Sequence, residues 1–255
     1  MNVFIAGSGN AATCLGLALH AAGHRLEGLW SRNGEKASAL AARLGTHAVG
    51  EGEIPESAEL VLLCLADDAL NELPPWLAGN WMLVHTSGSV PMEVLNTARY
   101  YGVLYPLQTL SALRETPLAR VPLCVEGSDA AAEQALLGLA QSVSSIAVVM
   151  NSEQRRQLHL AAVFTNNFAN HMFAIGAQLA RHAQADPALL GPLMQETAAK
   201  AAALGAEEAQ TGPALRGDRS TLARHLDMLA GFPAWKQIYQ YVSSEIYRQR
   251  YGKEL

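Results

Sequence analysis

Four polar side chains stand out in a stretch that carries no charge. Between Gln157 and Ala180 there is no Asp, Glu, Lys or Arg, yet His159, Asn166, Asn167 and Asn170 all fall within it. Asn166 lies seven residues past His159, Asn167 eight and Asn170 eleven. On a regular helix, seven and eleven return to nearly the same face and eight borders it. Buried amides need hydrogen-bond partners, which an opposite helix, a seam between two copies or a substrate would supply. Imidazole suits proton transfer near neutral pH. His159 is therefore a candidate proton donor, with Asn167 or Ser87 orienting the reacting group. The competing reading is a histidine satisfied in a core or an interface. His171 and His182 read as ordinary surface or interface residues.

A second set of candidates follows much later, in Gln210-Thr211-Gly212-Pro213-Ala214-Leu215-Arg216-Gly217-Asp218. Thr211 and the backbone N–H groups near Gly212 could hold a carboxylate, and Arg216 could pair one bidentately. Alternatively Arg216 pairs with Asp218 and only pins the loop. Gln108, just past the end of a strand, is a further substrate candidate.

Both sets need a reaction partner, and the first 33 residues point to one. They run Met1 to Ala6, then Gly7-Ser8-Gly9-Asn10-Ala11-Ala12, then an Ala/Leu-rich run to Gly23, then Leu26 to Trp30. This is strand, glycine turn, helix, strand. Gly7-x-Gly9-x-x-Ala12 is the dinucleotide fingerprint with alanine in its third place. Gly7 allows the tight turn, Gly9 lets backbone approach a pyrophosphate, and Ala12 lets helix and strand pack closely. The helix N-terminus offers N–H groups and partial positive charge to phosphates, so Gly7, Ser8, Gly9, Asn10 and Ala11 are assigned to the cofactor. After the second strand come Ser31, Arg32 and Asn33. An acid there selects NAD; small polar residues with Arg suit a 2′-phosphate. The expected cofactor is NADP(H). Glu27, twenty residues past Gly7, is the competitor, but it falls inside the strand.

The elements that hold these groups alternate. A helix over Gly34–Leu44 and a short strand at His47–Val49 are expected next. Leu60–Leu65 is an apolar run of the buried parallel type; Leu65 and Ala66 at its end should meet the cofactor. Asp67 should cap the next helix or, less simply, touch the ligand. Trp81–His85 is a strand ending in a Thr86-Ser87-Gly88-Ser89 loop, with Thr86 facing the cofactor. A helix from Pro91 to Tyr101, strands at Gly102–Tyr105, Pro122–Glu126 and Ser145–Val149, and a helix over Ala130–Ser142 complete this part. After Met150 only helices are expected: Ser152–His182, Pro187–Leu204, Ser220–Leu229 and Pro233–Gln249. The fold class is α/β, a Rossmann-type doubly wound, mostly parallel sheet followed by an all-α C-terminal domain. The domains expected are 1–150 for NADP and 151–255 for substrate and dimerisation.

Composition agrees with an ordinary enzyme. Of 255 residues, 50% are hydrophobic and 16% charged, so a large core is possible and disorder is not expected. The formal net charge of −5 and the absence of basic runs argue against nucleic acid. Cys14, Cys64 and Cys124 are widely spaced, with no CxxC, and suggest neither a disulfide framework nor a metal site. The first strand begins at residue 2, which leaves no room for a signal peptide and leads to a cytoplasmic expectation. The charge-free run would have to bury two His and three Asn in lipid, so it is read as a buried helix of a soluble protein.

These pieces together resemble the 6-phosphogluconate dehydrogenase-like superfamily. Within it the chain is similar to pyrroline-5-carboxylate reductases and deazaflavin-linked NADP reductases. It looks most like a bacterial family provisionally described as NADP oxidoreductases, of generally unassigned substrate. The matching stretches are Gly7–Ala12, His85–Ser89, Tyr105–Ser111, His159–Phe168 and Thr211–Asp218, spread over nearly the whole chain. The resemblance implies NADP(H), hydride transfer and a homodimer built through the helical domains. Many superfamily dehydrogenases place a Lys and an Asn four residues apart on the long helix; His159 and Val163 stand there instead. The usual lysine acid/base is thus missing. Two rivals follow. One is a non-catalytic NADP-binding sensor or partner protein. The other is a methyltransferase, which shares the glycine loop but gives Arg32 no task.

Overall fold

The computed structural model describes residues 1–112 and 117–254. They form two compact units, Met1–Asn166 and Asn167–Leu255.

The first unit runs β1 (Asn2–Ala6), α1 (Asn10–Ala21), β2 (Arg25–Trp30), α2 (Gly34–Arg43), β3 (Leu60–Leu63), α3 (Asp67–Leu70), β4 (Met82–His85), β5 (Tyr101–Pro106), β6 (Leu123–Gly127), α4 (Ala130–Val143), β7 (Ala147–Val149) and α5 (Ser152–Ala162). The strands form one sheet in the order β2-β1-β3-β4-β5-β6-β7. Neighbours are parallel except β5 and β6, which are antiparallel. Successive strand residues face opposite sides, and each side has its own core. Val3, Ile5 and Leu62 pack with Leu15 and Leu19 of α1 and Leu136 of α4. Phe4, Val61 and Leu63 pack with Leu70, Leu77 and Leu95 on the other side. This is why β3 is apolar throughout.

From β1 the chain crosses to β2 on one side and later to β3 on the other. Such a reversal opens a crevice at the carboxyl ends of β1 and β3, where ligands of this fold class bind. Gly7 turns the chain there. Its φ is +128°, and a Cβ on it would lie 2.2 Å from the Cys64 carbonyl oxygen. Only glycine satisfies both conditions.

Four local expectations are corrected. His47–Val49 is not a strand; it contributes one bridge, Leu29 with Ala48. The helix expected over Pro91–Tyr101 is a single 3-10 turn, Met92–Leu95. Val94, Asn96 and Thr97 are weak helix formers, and β5 already begins at Tyr101. Asp67 is not a cap: Ala66 holds that position, with no side-chain bond. The Asp67 carboxylate instead accepts from the Ser89 hydroxyl. The charge-free run is not buried within the chain, since Leu160 is 54% exposed and Met172 is 38% exposed.

Between α5 and the next helix the backbone is π-helical over Val163–Phe168. Thr165 Oγ1 donates back to the Ala161 carbonyl at 3.0 Å, a bond that loosens a regular helix. The wider turns break the 3.6-residue phase, so the face expected to carry His159, Asn166 and Asn170 is not that of an ideal helix. Ser152–Asn166 belong with the sheet, and the units divide inside this stretch.

The second unit contains α6 (Ala169–His182), α7 (Gly191–Leu204), α8 (Ala206–Ala209), α9 (Pro213–Arg216), α10 (Arg219–Met228) and α11 (Pro233–Tyr251). Its described residues include no strand. No helix is long and apolar enough to cross a membrane among the described residues.

Candidate functional site

The crevice begins at the N-terminus of α1. Gly9 is the N-cap, no side chain caps the helix, and its first turn holds no acid. A Cβ on Gly9 would meet nothing within 4 Å. The glycine thus leaves open space directly over a helix end with N–H groups to offer, which fits a pyrophosphate. Ser8 and Ala11 are half-buried and Asn10 is exposed. The Asn10 side-chain oxygen accepts from the Ala112 amide at 2.9 Å, which ties the loop after β5 to this helix end.

At the carboxyl end of β2, Ser31 Oγ donates to the Asn33 carbonyl at 2.8 Å. Asn33 caps α2, accepting from Lys36 N at 2.9 Å, so half of its amide is already used. Arg32 is exposed and has no ion pair among the described residues. Glu27 lies inside β2, accepts from Ser57 Oγ at 2.8 Å and pairs with Arg25 at 2.9 Å. It is committed to that end of the strand and not to the crevice.

At the ends of β3 and β4, Leu65 and Thr86 are half-buried and Ala66 is exposed. Burial pushes the Cys64 thiol up to about 12, so it is no nucleophile. Ser87 is buried, and its oxygen accepts from the amides of Ser89 and Val90 at 3.1 Å each. The hydroxyl therefore holds its own loop, and its proton faces the Ser89 oxygen at 3.3 Å, since Ser89 gives its own proton to Asp67. His85 is fully buried, and burial holds its pKa down at about 4. Its Nδ1 accepts from Ser87 N at 3.1 Å, which assigns the ring proton to Nε2 in the neutral form.

The long helix meets this side of the sheet unit at two points. His159 Nδ1 lies 3.0 Å from the Tyr105 hydroxyl at the end of β5. Two turns on, Asn166 Nδ2 donates to Thr109 Oγ1 at 2.5 Å. A Cβ on Gly88 would lie 2.5 Å from His159 Nδ1 and 2.8 Å from Tyr105 Cζ. His159, Tyr105 and the loop carrying Ser87 are thus brought together. Burial raises the Tyr105 pKa, with Cys124 adding to the rise and Arg155 opposing it. Gln108 is exposed and its Oε1 accepts from Thr109 N at 2.9 Å, which folds it onto its own loop. The helix start is fixed by a reciprocal cap between Asn151 and Gln154. It is further fixed by Arg155, which is 0% exposed, pairs with Glu126 and donates to the Val90 carbonyl at 2.5 Å.

Sequence reasoning missed Tyr105, Thr109 and Gly88 as members of this group. Tyr105 looked like strand filling and Gly88 like a loop residue. Arg155 is the sequence signal for this attachment, a charge one helical turn before His159.

Asn167 is exposed and belongs to the second unit, as do Thr211, Gly212 and Arg216. Gly212 has φ +111° and caps α9, and Arg216 is exposed. Asp218 does not pair with Arg216 among the described residues. It caps α10 instead, accepting from Thr221 N at 3.1 Å and Ser220 Oγ at 2.9 Å. These bonds hold its carboxyl down at about 2. Thr211 lines a cavity of about 270 Å³ with Met172, Ile175, Trp235 and Tyr239.

No curated protein matches the sequence. Residues 121–246 match the model of a domain of unknown function (DUF2520). A solved Bacteroides fragilis protein, provisionally named an NADP oxidoreductase, is 37% identical, with a TM-score of 0.91 over 97% of this chain and 98% of that one. Two more distant structures share the fold. A 1-pyrroline-5-carboxylate reductase from Streptococcus pyogenes is 13% identical, with a TM-score of 0.67 over 97% and 98% of the two chains. An imine reductase from Myxococcus stipitatus, solved with NADP+, is 14% identical, with a TM-score of 0.62 over 97% and 92%. Matching the Bacteroides fragilis protein at 37% identity along nearly all of both chains, this chain belongs with it to one family of Rossmann-type NADP oxidoreductases.

Proposed function

We propose that the protein is an NADP(H)-dependent oxidoreductase acting on a small, anionic carbonyl or imine compound. One observation carries the choice of cofactor: Arg32, exposed and without an ion pair among the described residues, stands two residues past the end of β2. The backbone from Gly7 to Ala11 would hold the pyrophosphate, and Ser31, Arg32 and Asn33 the 2′-phosphate. Leu65, Ala66 and Thr86 would lie along the rest of the dinucleotide. When bound, the nicotinamide supplies or accepts a hydride. His159 provides the proton for the substrate heteroatom, with Ser87 or Asn167 orienting the group. Thr211, Gly212, Arg216 and Gln108 are proposed for substrate, the arginine for a carboxylate. The domain roles follow: residues 1–150 for cofactor, 151–255 for substrate and dimerisation. A second copy would cover apolar side chains that one chain leaves exposed, among them Leu189 and Leu193. The three free cysteines fit a reducing compartment such as the cytoplasm.

The test is a fluorescence titration with NADPH and NADH, followed by a panel of carbonyl and imine acids. NADPH is expected to bind more tightly, and one acid class to turn over. Absence of NADPH binding would sink the proposal. The sensor reading is favoured by the missing lysine, with His159 standing in its place, and by the absence of an unmistakable acid/base pair. It predicts tight NADPH binding with no turnover on the whole panel and no effect of His159→Ala in cells.

A further inference from the structure

His159 is held by a residue that the proposed chemistry does not use. The Tyr105 hydroxyl lies 3.0 Å from Nδ1, and the two rings meet edge-on with centroids 5.8 Å apart. Gly88 closes the pair from a third side, leaving no room for a Cβ. The Asn166–Thr109 bond repeats the attachment two turns later. Nε2 has no hydrogen-bond partner among the described residues, and the residue is half-buried, so this atom is left for solvent or ligand.

We infer that Tyr105 is the positioning residue for His159: its hydroxyl holds Nδ1 and so presents Nε2 as the atom that exchanges a proton with substrate. In the neutral ring the phenol donates. A bare imidazole nitrogen is a strong acceptor, whereas the phenol oxygen is a weak one because its lone pair is shared with the ring. The neutral tautomer is then Nε2–H. In the imidazolium Nδ1 carries a proton, and the same hydroxyl rotates to accept it. A hydroxyl therefore keeps one ring orientation, with a proton on Nε2, through both protonation states; a carboxylate would instead hold the Nδ1–H neutral tautomer, and an amide N–H could not accept from the imidazolium. In the reducing direction a proton passes from Nε2 of the imidazolium to the substrate heteroatom, while the adjacent carbon takes the hydride. The ring is left neutral with its proton on Nδ1, donated to the phenol oxygen; a solvent proton taken up at Nε2 restores the imidazolium, and loss of the Nδ1 proton to solvent returns the resting Nε2–H ring.

The inference rests on His159 being the proton donor, but its first test does not need turnover. Long-range nitrogen–proton spectra of the ¹⁵N-labelled protein, with His159→Gln used for assignment, report the tautomer directly. The wild type is expected to show Nε2–H with a hydrogen-bonded bare Nδ1. Tyr105→Phe and Gly88→Ala, which break the contact from opposite sides, should each introduce an Nδ1–H population. An Nδ1–H tautomer in the wild type, or spectra unchanged in both variants, overturns the inference. The wild-type spectrum decides it even if a variant misfolds. Once a substrate is found, Tyr105→Phe should lower kcat at least tenfold without changing NADPH affinity. Added to His159→Gln, it should cost nothing further. An additional loss in the double variant would mean that Tyr105 acts on its own. If nothing on the panel turns over, the oxidoreductase reading fails while the spectrum still judges the pair.

Discussion

Arg155 stands one helical turn before His159 on α5, and its guanidinium is buried against the carboxylate of Glu126 on β6. The carboxylate also accepts from Ser152 N and Ser152 Oγ, both at 2.7 Å. The candidate proton donor is therefore carried on a helix bolted to the sheet by a desolvated ion pair. Breaking such a pair from one side leaves a buried charge, at a cost of roughly 3–5 kcal/mol. Arg155→Met should lower the unfolding free energy obtained from urea titration by that amount, and Arg155→Met with Glu126→Leu should recover part of it. Equal stability of Arg155→Met and wild type would show that the pair does not fix the helix.

Gly7 and Gly9 share one motif but should fail differently. Gly7→Ala places a Cβ against the Cys64 carbonyl at positive φ. It should cost roughly 3 kcal/mol of stability or more. Gly9 has φ −87° and open space around it. Gly9→Ala should leave the melting temperature unchanged while weakening NADPH binding about tenfold, because its methyl would occupy the place proposed for the pyrophosphate. Melting curves and NADPH titrations on the two variants separate the roles.

Stability should fall in mild acid through His85. Its folded pKa is about 4, against about 6.5 in an unfolded chain. Between these values the unfolded state binds a proton that the folded state refuses, so stability drops as pH falls. The contribution is complete above about pH 6.5 and exhausted below about pH 4. It amounts to roughly 3 kcal/mol. Urea midpoints across this window should show the drop, and His85→Asn should flatten it. A variant with the wild-type pH dependence would place the titration elsewhere.

Cofactor choice should depend on Arg32 and not on Glu27. Loss of a charge-assisted contact costs roughly 1.5–3 kcal/mol, about tenfold or more in affinity. Arg32→Ala should weaken NADPH binding by at least that factor and leave NADH nearly untouched. Glu27→Gln should change neither affinity, since its carboxylate is held by Ser57 and Arg25. A loss of NADH binding on Glu27→Gln would revive the competing assignment.

Much of this was legible in the sequence because it is local. The glycine turn, the apolar run of β3 and the absence of strands among the described residues after Val149 depend on neighbours a few residues apart, where periodicity and turn chemistry act. Asn33, Asn151 and Asp218 cap helices through equally local bonds, although Asn33 was expected at the cofactor and Asp218 in a pair with Arg216. The misjudged elements depended on distant partners. Asp67 had the composition of a cap, yet a serine on the next strand's loop claims its carboxylate. The His/Asn stripe assumed a regular helix, and the π-helical stretch shifted it.

By itself, the order of residues determined the dinucleotide turn, the doubly wound sheet and the helical second half, since each follows from backbone geometry and burial within short segments. Only the tertiary structure decided which side chains meet His159. Tyr105 and Gly88 reach it across 54 and 71 residues of chain, because β4 and β5 lie side by side in the sheet and α5 passes their ends. Hydrogen bonds at about 3 Å between such distant residues leave no periodic trace in the sequence. They exist only once the strands have paired.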